Sequence, residues 1–397
     1  MPLDEPMRSM RASEPTEDPA DALRGRLQKL LDSLVARKGI EHAIVAVESG
    51  DRSFRWIGTA GNANPDGAAM RTDTPFFIAS VTKLYIASVI LKLHECGRLG
   101  LGEPISTYLP EALIGGLHRL RGVDYTNAIT VRHLLGHTSG LADGLEDRPK
   151  GGRSMMDRLF SEGDMSWSTA ELARIVRDEL TPHFPPQSAD AGRQKAHYSD
   201  TNYQLLIAII EAVAAQPLHK VFHEMLFGPL GLRRTYLPGR SQPLQPTPRQ
   251  ATLWLDNQPL NVPLAIRSSG DLYSTADDTL AFLRALIRGE VFDDPATLSL
   301  MQQRWNRFGF SLDLAPRSPG WPIEYGLGMM RFRLPRVFTP VHPMPAVVGH
   351  TGSTGSWLFH CPELDLFLCG TVDQVTAGAV PYRFVPKLLR VFDRTSH

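Results

Sequence analysis

Hydrophobic and polar positions along this chain follow two different periods, and their order predicts its secondary structure. Between residues 21 and 38, apolar side chains recur at helical spacing with basic residues between them, which predicts an amphipathic helix. Two short apolar runs follow at residues 43–47 and 53–58, separated by the turn signal Ser49-Gly50-Asp51. This arrangement predicts a β-hairpin.

The middle of the chain has a mostly helical pattern. Apolar runs at residues 84–91 and 205–210 predict buried helices, and residues 129–135 and 169–180 predict two more. Residues 142–166 are polar and predict a long loop that forms a lid or a wall of a substrate site. Ser274 is expected to cap a helix over residues 276–288.

Strand patterns return after residue 329, and a final helix is predicted at about residues 380–392. Strands and a helix at each end predict an α/β (α+β) fold in which one antiparallel sheet is assembled from both ends and flanked by helices. We predict a disordered segment at residues 1–19 and a single domain at 20–397. Its sheet lobe comprises about 20–95 and 250–397, and its helical lobe about 96–249. A cleft between the lobes is the expected site.

Composition and charge remove several classes of function. The 397 residues are 42% hydrophobic and 21% charged, as in a globular protein, and 42 basic residues balance 42 acidic ones. Because the chain has no net charge that would attract polyanions, nucleic-acid and anionic-membrane partners are not expected. No cofactor or metal site is predicted either, because neither a phosphate-binding glycine loop nor a cluster of metal ligands is visible in the sequence.

The cysteines and the N-terminal region predict a cytoplasmic location. Cys96, Cys361 and Cys369 are an odd number without metal-ligand spacing, so free thiols are expected. The first residues lack the basic start and apolar run of a secretory signal, and no stretch approaches the roughly twenty apolar residues of a membrane span. The oligomeric state is left open.

Ser80 and Lys83 are the first candidates for chemistry. They lie three positions apart at the start of a predicted helix, so the hydroxyl and the amine share one helical face. A helix N-terminus also favours a developing negative charge. This S-x-x-K pattern predicts an activated serine nucleophile, although serine is also a common residue at helix starts and a lysine can simply face water.

Two further segments follow in a characteristic order: Tyr198-Ser199-Asp200 before an apolar helix, and His350-Thr351-Gly352-Ser353 at a predicted strand. With Ser80 and Lys83 they resemble the serine β-lactamase and penicillin-binding-protein superfamily. The resemblance is to the branch that includes class C β-lactamases, DD-peptidases, D-aminopeptidases and family VIII carboxylesterases. It covers about residues 24–391, and it implies a β-lactamase/transpeptidase-like fold. Further segments that resemble this branch are residues 130–141, 198–203, 273–278 and 350–355.

The resemblance implies a role for each residue. Ser80 attacks an acyl carbon, and Lys83 and Tyr198 act as a coupled general base and acid. Holding a lysine neutral at pH 7 costs about 4.6 kcal/mol unless its surroundings shift the pKa, so the base is not assigned to one of the two. The main-chain amides of Ser80 and Ser353 would form the oxyanion hole. Substrate contacts are implied for Asp200, His350, Thr351 and Gly352.

Two positions depart from the usual motifs. Asp200 stands where Asn is commoner, so its carboxylate either points at Lys83, which favours the charged ammonium and moves base duty toward Tyr198, or caps the following helix. His350 stands where β-lactamases and DD-peptidases have lysine. A mostly neutral imidazole weakens the case for carboxylate-bearing substrates. The alternative is that His350 only hydrogen-bonds within the strand pair.

The sequence therefore predicts a serine hydrolase that forms an acyl-enzyme with a small carboxylic ester or amide. A β-lactamase or D-amino-acid peptidase is the first alternative, and an acyltransferase that uses the same nucleophile is the second. A binding protein that has kept the fold without turnover is the third. The natural substrate depends on the loop at residues 142–166 and is not predicted.

Overall fold

An antiparallel sheet built from both ends of the chain organises the fold. The computed structural model describes residues 18–309, 323–334, 336 and 343–393, and within these ranges the sheet has eight strands. From one edge to the other the strands are Arg55–Gly61, His42–Ser49, Leu366–Thr371, Trp357–Cys361, Val347–Thr351, Met330–Phe332, Ile323–Tyr325 and Asn306–Arg307.

The central strands are apolar on both faces because helices cover both faces. In the strand His42–Ser49, Ile44 and Ala46 join one hydrophobic core while Val45 and Val47 join another, as the alternation of strand side chains requires. The terminal helices Pro19–Val35 and Val380–Asp393 pack on the second face. The helix Ala276–Ile287 packs on the first.

Along the chain, most of the remaining helices come after the strand Arg55–Gly61 and before the strand Asn306–Arg307. These α-helices are Thr82–Glu95, Glu111–Ile114, Val131–Leu135, Met155–Glu162, Thr169–Glu179, Asp200–Ala214, Leu218–Phe222, Gly228–Leu230, Pro263–Ser269 and Pro295–Gln302. The 3-10 helices are Ala79–Val81, Ile105–Thr107, Thr126–Ala128 and Val375–Ala377, with a π-helical turn at His223–Phe227. Two-stranded pairs join Phe76–Phe77 to Tyr273–Ser274, Arg119–Leu120 to Val123–Asp124, and Leu253–Leu255 to Gln258–Leu260.

Two local predictions are wrong. The segment 142–166, predicted as a loop, contains the helix Met155–Glu162, whose N-cap Ser154 forms a capping box with Asp157. The cap of the helix Ala276–Ile287 is Thr275, whose side chain accepts from the Asp278 amide, and not Ser274. Ser274 shares a hydrogen bond with Thr235. In the second case the adjacent Ser274 and Thr275 side chains make the cap position ambiguous without the backbone.

The predicted fold class, an antiparallel sheet flanked by helices, is confirmed. The three cysteines are free thiols, as expected. The predicted disorder of residues 1–19 falls almost wholly outside the described residues.

Within the described part of the chain, no single helix has both the length and the apolar character of a membrane span. The pair Asp200–Ala214 and Leu218–Leu230, bent by 78°, meets both criteria when taken together.

Candidate active site

Ser80 lies in the short 3-10 turn Ala79–Val81, which leads directly into the helix Thr82–Glu95. Ala79 has φ of 46°, a left-handed conformation that costs a non-glycine residue roughly 1–2 kcal/mol. The turn is held by main-chain and side-chain hydrogen bonds on either side. Ile78 donates its amide to the Leu272 carbonyl at 3.0 Å and accepts at its own carbonyl from Ser356 Oγ at 2.9 Å. The turn that carries Ser80 is thus fixed between the segments around Leu272 and Ser356.

The predicted pair of Ser80 and Lys83 is formed, and Asp200 joins it. Lys83 Nζ donates to Ser80 Oγ at 3.0 Å and to Asp200 Oδ1 at 2.6 Å. The structure therefore favours the first of the two arrangements considered for Asp200, in which its carboxylate points at Lys83. Asp200 is also the first residue of the helix Asp200–Ala214, and this position aims its side chain into the site.

Lys83 is buried, with only 4% of its side chain exposed. Burial by itself would lower the pKa of the ammonium group. The negative charge of Asp200, with a smaller contribution from Asp271, outweighs burial and raises the pKa well above its ordinary value. The rings of Tyr198 and Tyr203 lie 5.1 and 5.3 Å from Nζ and add favourable contacts to the cation. Lys83 is thus positively charged in the resting site.

Tyr198 is the second candidate base, and its hydroxyl is protonated in the resting site. Burial raises its pKa far above the usual value, and the charge on Lys83 opposes this only in part. The hydroxyl is buried and has no hydrogen-bond partner among the described residues. Because both candidate bases carry their protons, the serine proton needs another final acceptor.

Two more carboxyl groups lie beside this centre, and the sequence did not single out either of them. Asp143 is buried and accepts from the Asp200 amide through Oδ2 at 3.1 Å, and burial together with the charge of Asp200 raises its pKa well above normal. Asp271 lines the same cavity as Lys83, and burial raises its pKa to about 6. Asp143 and Asp271 each lie in a loop, where no hydrophobic repeat predicts the position of the side chain.

The main chain at the end of the strand Val347–Thr351 fits the predicted oxyanion hole. Ser80, Gly352 and Ser353 line one cavity, and among the described residues no acceptor is found for the main-chain amides of Ser80 and Ser353. Gly352 is required by the close approach of the two segments. A Cβ there would stand 2.9 Å from the Ile78 carbonyl oxygen and 2.2 Å from Ser356 Oγ.

His350 does not line the cavity, so its predicted contact with substrate has no support in this geometry. The ring is fully buried. Nδ1 lies 2.7 Å from the Thr351 carbonyl and therefore donates, which leaves Nε2 to accept from the Tyr325 hydroxyl at 3.0 Å. Burial, helped by the charge of Lys83, lowers the pKa of His350 to about 3. His350 is thus a neutral structural residue, in line with the second interpretation considered from the sequence.

Thr351 and His137 hold the surroundings of the site in place. Thr351 lines the cavity, and its Oγ1 is 2.7 Å from the Tyr382 hydroxyl. The His137 ring stacks on Tyr198 with centroids 4.4 Å apart, and its Nδ1 accepts from the Ser199 amide at 3.2 Å. His137 thereby packs against Tyr198 and holds the neighbouring main chain, so the turn around it has a structural role.

The reactive groups open into a cavity of about 590 Å³, within the range of small-molecule sites. Apart from the polar centre its wall is mainly apolar. Helix Met155–Glu162, in the segment predicted to form a lid or wall, contributes Met156, Leu159 and Phe160. Further apolar lining residues are Phe77, Ile86, Leu145, Trp167, Ile207, Leu253, Leu260, Val262, Ala265 and Ile266.

Comparison with known proteins gives a consistent result. A family model described as Beta-lactamase matches residues 27–378. Esterase EstB of Burkholderia gladioli is 29% identical over 344 residues, which cover 79% of this chain and 82% of that protein. The D-alanyl-D-alanine-carboxypeptidase/endopeptidase AmpH of Escherichia coli (strain K12) is 25% identical over 321 residues, covering 80% of this chain and 74% of that protein.

Among solved structures, the D-amino acid amidase from Ochrobactrum anthropi SV3 complexed with L-phenylalanine amide is similar to this chain with a TM-score of 0.72. The match has 22% sequence identity and covers 95% of this chain and 100% of that one. At this identity the likeness concerns the fold alone.

Proposed function

Because this chain belongs to the beta-lactamase family and is a serine hydrolase, we propose that it cleaves carboxylic esters or amides with an apolar acyl group through an acyl-enzyme on Ser80. One observation carries the proposal. The hydrogen-bonded line Ser80–Lys83–Asp200 opens into a cavity whose wall is mainly apolar.

The line supplies a route for the serine proton. Lys83 first passes one proton to Asp200 Oδ1, 2.6 Å away, and its neutral amine then takes the proton of Ser80 as Oγ bonds to the acyl carbon. Lys83 is charged before and after the transfer, and Asp200 is the final acceptor. This assignment explains how a lysine with a raised pKa can serve as a base.

Acyl transfer places negative charge on the carbonyl oxygen and then requires a protonated leaving group. The amides of Ser80 and Ser353 receive the oxyanion, and each such donor typically contributes about 2.7 to 4 kcal/mol to transition-state stabilisation. Tyr198 lines the cavity with a protonated hydroxyl, so it donates to the departing alcohol or amine. Water then attacks the acyl-enzyme and gives a proton to the Tyr198 phenolate, and the proton held by Asp200 returns through Lys83 to Ser80 Oγ.

The substrate class follows from the wall and from His350. An apolar acyl group gains about 25 cal/mol for each Å² of apolar surface that it buries in the cavity. His350 is neutral and inaccessible at the position where related motifs carry lysine, which favours substrates without a carboxylate at that point. The similarity to an esterase over most of both chains supports the same choice.

The test is hydrolysis of p-nitrophenyl esters of increasing acyl length, with intact-mass detection of the acyl-enzyme. We expect kcat/KM to rise from acetate to medium-chain esters and an acyl adduct that is absent in Ser80→Ala, where activity falls by at least about 10⁴-fold. Ser353→Ala keeps the main-chain amide and should retain most activity. Equal rates in wild type and Ser80→Ala would refute the proposal.

A second candidate is a peptidase that acts on a carboxylate-bearing chain end. Arg383 is exposed and lines the cavity, so a cation stands at its rim. The similarity to a carboxypeptidase supports this candidate. Release of D-alanine from a short peptide, lost in Arg383→Gln while ester hydrolysis persists, would favour it over the esterase.

We also propose a cytoplasmic location, supported by three cysteines that are all free thiols. Fractionation of cells that express the full chain tests this point. Recovery outside the cytoplasmic fraction would refute it.

A further inference from the structure

Three side chains from two connecting segments, one between the helices Val131–Leu135 and Met155–Glu162 and the other between Thr169–Glu179 and Asp200–Ala214, lie close together. Asp147 Oδ2 lies 2.7 Å from His183 Nε2 and 3.6 Å from His197 Nε2, and the three atoms all lie within 4.8 Å of one another. The two imidazole rings stack with centroids 3.6 Å apart. None of the three residues is among the described residues that line the cavity beside Ser80.

The main chain holds all three residues in place. Each donates its own amide to a carbonyl within residues 137–143. These hydrogen bonds run from Asp147 to Asp143 at 2.9 Å, from His183 to Gly140 at 2.9 Å, and from His197 to His137 at 3.0 Å. A single short segment therefore positions three potential ligands before any ion arrives, which reduces the ordering cost of binding.

The donor set is the one that zinc and similar ions prefer. Two imidazole nitrogens and a carboxylate oxygen are established zinc ligands, with bond lengths of about 2.0–2.2 Å and therefore roughly 3.3 Å between ligand atoms in a tetrahedron. The distances from Asp147 Oδ2 to His183 Nε2 and His197 Nε2, 2.7 and 3.6 Å, lie on either side of that value. His197 Nε2 is buried and has no hydrogen-bond partner among the described residues, so its ring adds a donor atom without losing a hydrogen bond.

The cluster is partly exposed to solvent, although His197 Nε2 itself is covered. The side chains of Asp147, His183 and His197 are 26%, 36% and 29% exposed, so an ion can reach them and a water molecule can complete its coordination. On binding, His183 coordinates through Nε2 and carries its proton on Nδ1, so the proton that Nε2 shares with Asp147 Oδ2 is moved to Nδ1 through solvent.

We propose that Asp147, His183 and His197 form a binding site for a divalent transition-metal ion of the zinc type, separate from the hydrolase centre. An ion at this site would have a structural role. Asp147 Oδ2 also accepts from the Asp143 amide at 2.8 Å, so the ion would tie together the loops that carry Asp143 and Tyr198. The sequence predicted no metal site because the three residues lie in two irregular segments with no recognisable ligand spacing.

The experiment is calorimetric titration of the full chain, stripped with chelator, with zinc chloride. We expect one ion per chain, at least about 100-fold weaker binding in His183→Ala and in His197→Ala, and no change in His223→Ala, which removes an exposed imidazole elsewhere. Magnesium should not compete, because it prefers an all-oxygen shell. Cobalt in place of zinc should give the visible absorption of a nitrogen- and oxygen-ligated ion.

Folding is checked by circular dichroism without metal. If an alanine variant does not fold, Asp147→Asn provides the second test, because its amide oxygen can still accept the His183 and Asp143 hydrogen bonds while it is a poorer metal ligand. Saturable zinc binding that survives unchanged in Asp147→Asn and in the folded histidine variants would overturn the proposal. Absence of saturable binding to the wild type would overturn it as well.

Discussion

Replacing Asp200 by asparagine removes the charge that pairs with Lys83 and keeps almost the same side-chain volume. In the wild type the carboxylate lies 2.6 Å from Nζ, and Lys83 is 4% exposed. Breaking one partner out of a buried ion pair typically costs about 3–5 kcal/mol, because the remaining charge is left without compensation. Because one pKa unit corresponds to 1.36 kcal/mol, a cost of this size lowers the pKa of Lys83 by about 2 to 4.

The sign of the pH dependence follows from the two folded-state pKa values. In the wild type the pKa of Lys83 is raised, so the stability contributed by the pair is present at neutral pH and is lost only as pH rises through that raised value. In Asp200→Asn, burial is opposed only by the smaller contribution of Asp271, and the pKa falls below that of the unfolded chain. The stability deficit is then complete below the lowered pKa and shrinks as pH rises toward about 10.4.

The assay is kcat/KM for a p-nitrophenyl ester between pH 5 and 10, together with thermal unfolding across the same range. At pH 6 the variant has neither the carboxylate that accepts the proton nor a neutral lysine, so we expect a loss of about 10² to 10⁴-fold. Activity should recover as Lys83 loses its proton at higher pH. Asp66→Asn, which removes an exposed carboxylate paired with Arg249, should behave as wild type.

A variant with the wild-type pH profile and melting temperature would refute the reasoning, because the pair would then control neither the charge of Lys83 nor the path of the serine proton. Loss of activity that is equal at every pH would show that Asp200 acts by position alone.

Three further results are expected from the same site. Gly352→Ala forces a Cβ to within 2.9 Å of the Ile78 carbonyl oxygen and should cost about 1–3 kcal/mol of unfolding free energy together with most activity, whereas Gly102→Ala, with open space around it, should be neutral in both measurements. The raised pKa of Asp271, about 6, means that the folded protein loses stability as pH rises from about 3.8 to 6. Asp271→Asn should flatten the dependence of the unfolding free energy on pH between these two values, by at most about 3 kcal/mol, as measured by chemical denaturation. His350→Lys buries an unpaired cation near Lys83 and should lower the melting temperature without creating nitrocefin hydrolysis; a stable variant that hydrolyses nitrocefin would contradict this.

Sequence patterns predicted the parts of the fold that depend on local periodicity. The helix at residues 21–38, the hairpin that follows it and the strands after residue 329 correspond to elements of the structure, since each carries its own hydrophobic repeat. The helix Met155–Glu162 was missed because eight residues inside a polar segment give a weak repeat. That helix supplies part of the cavity wall, so the shape of the substrate site was beyond the sequence.

The sequence by itself determined the contact between Ser80 and Lys83. Their spacing at a helix start places hydroxyl and amine on one face, and the structure has them 3.0 Å apart. The tertiary structure decided their chemistry. Asp200, 117 positions from Lys83, sets the charge of the lysine, and burial keeps His350 neutral and out of reach. Helical geometry is fixed by nearest neighbours along the chain, whereas a pKa depends on desolvation and on charges that only folding brings together.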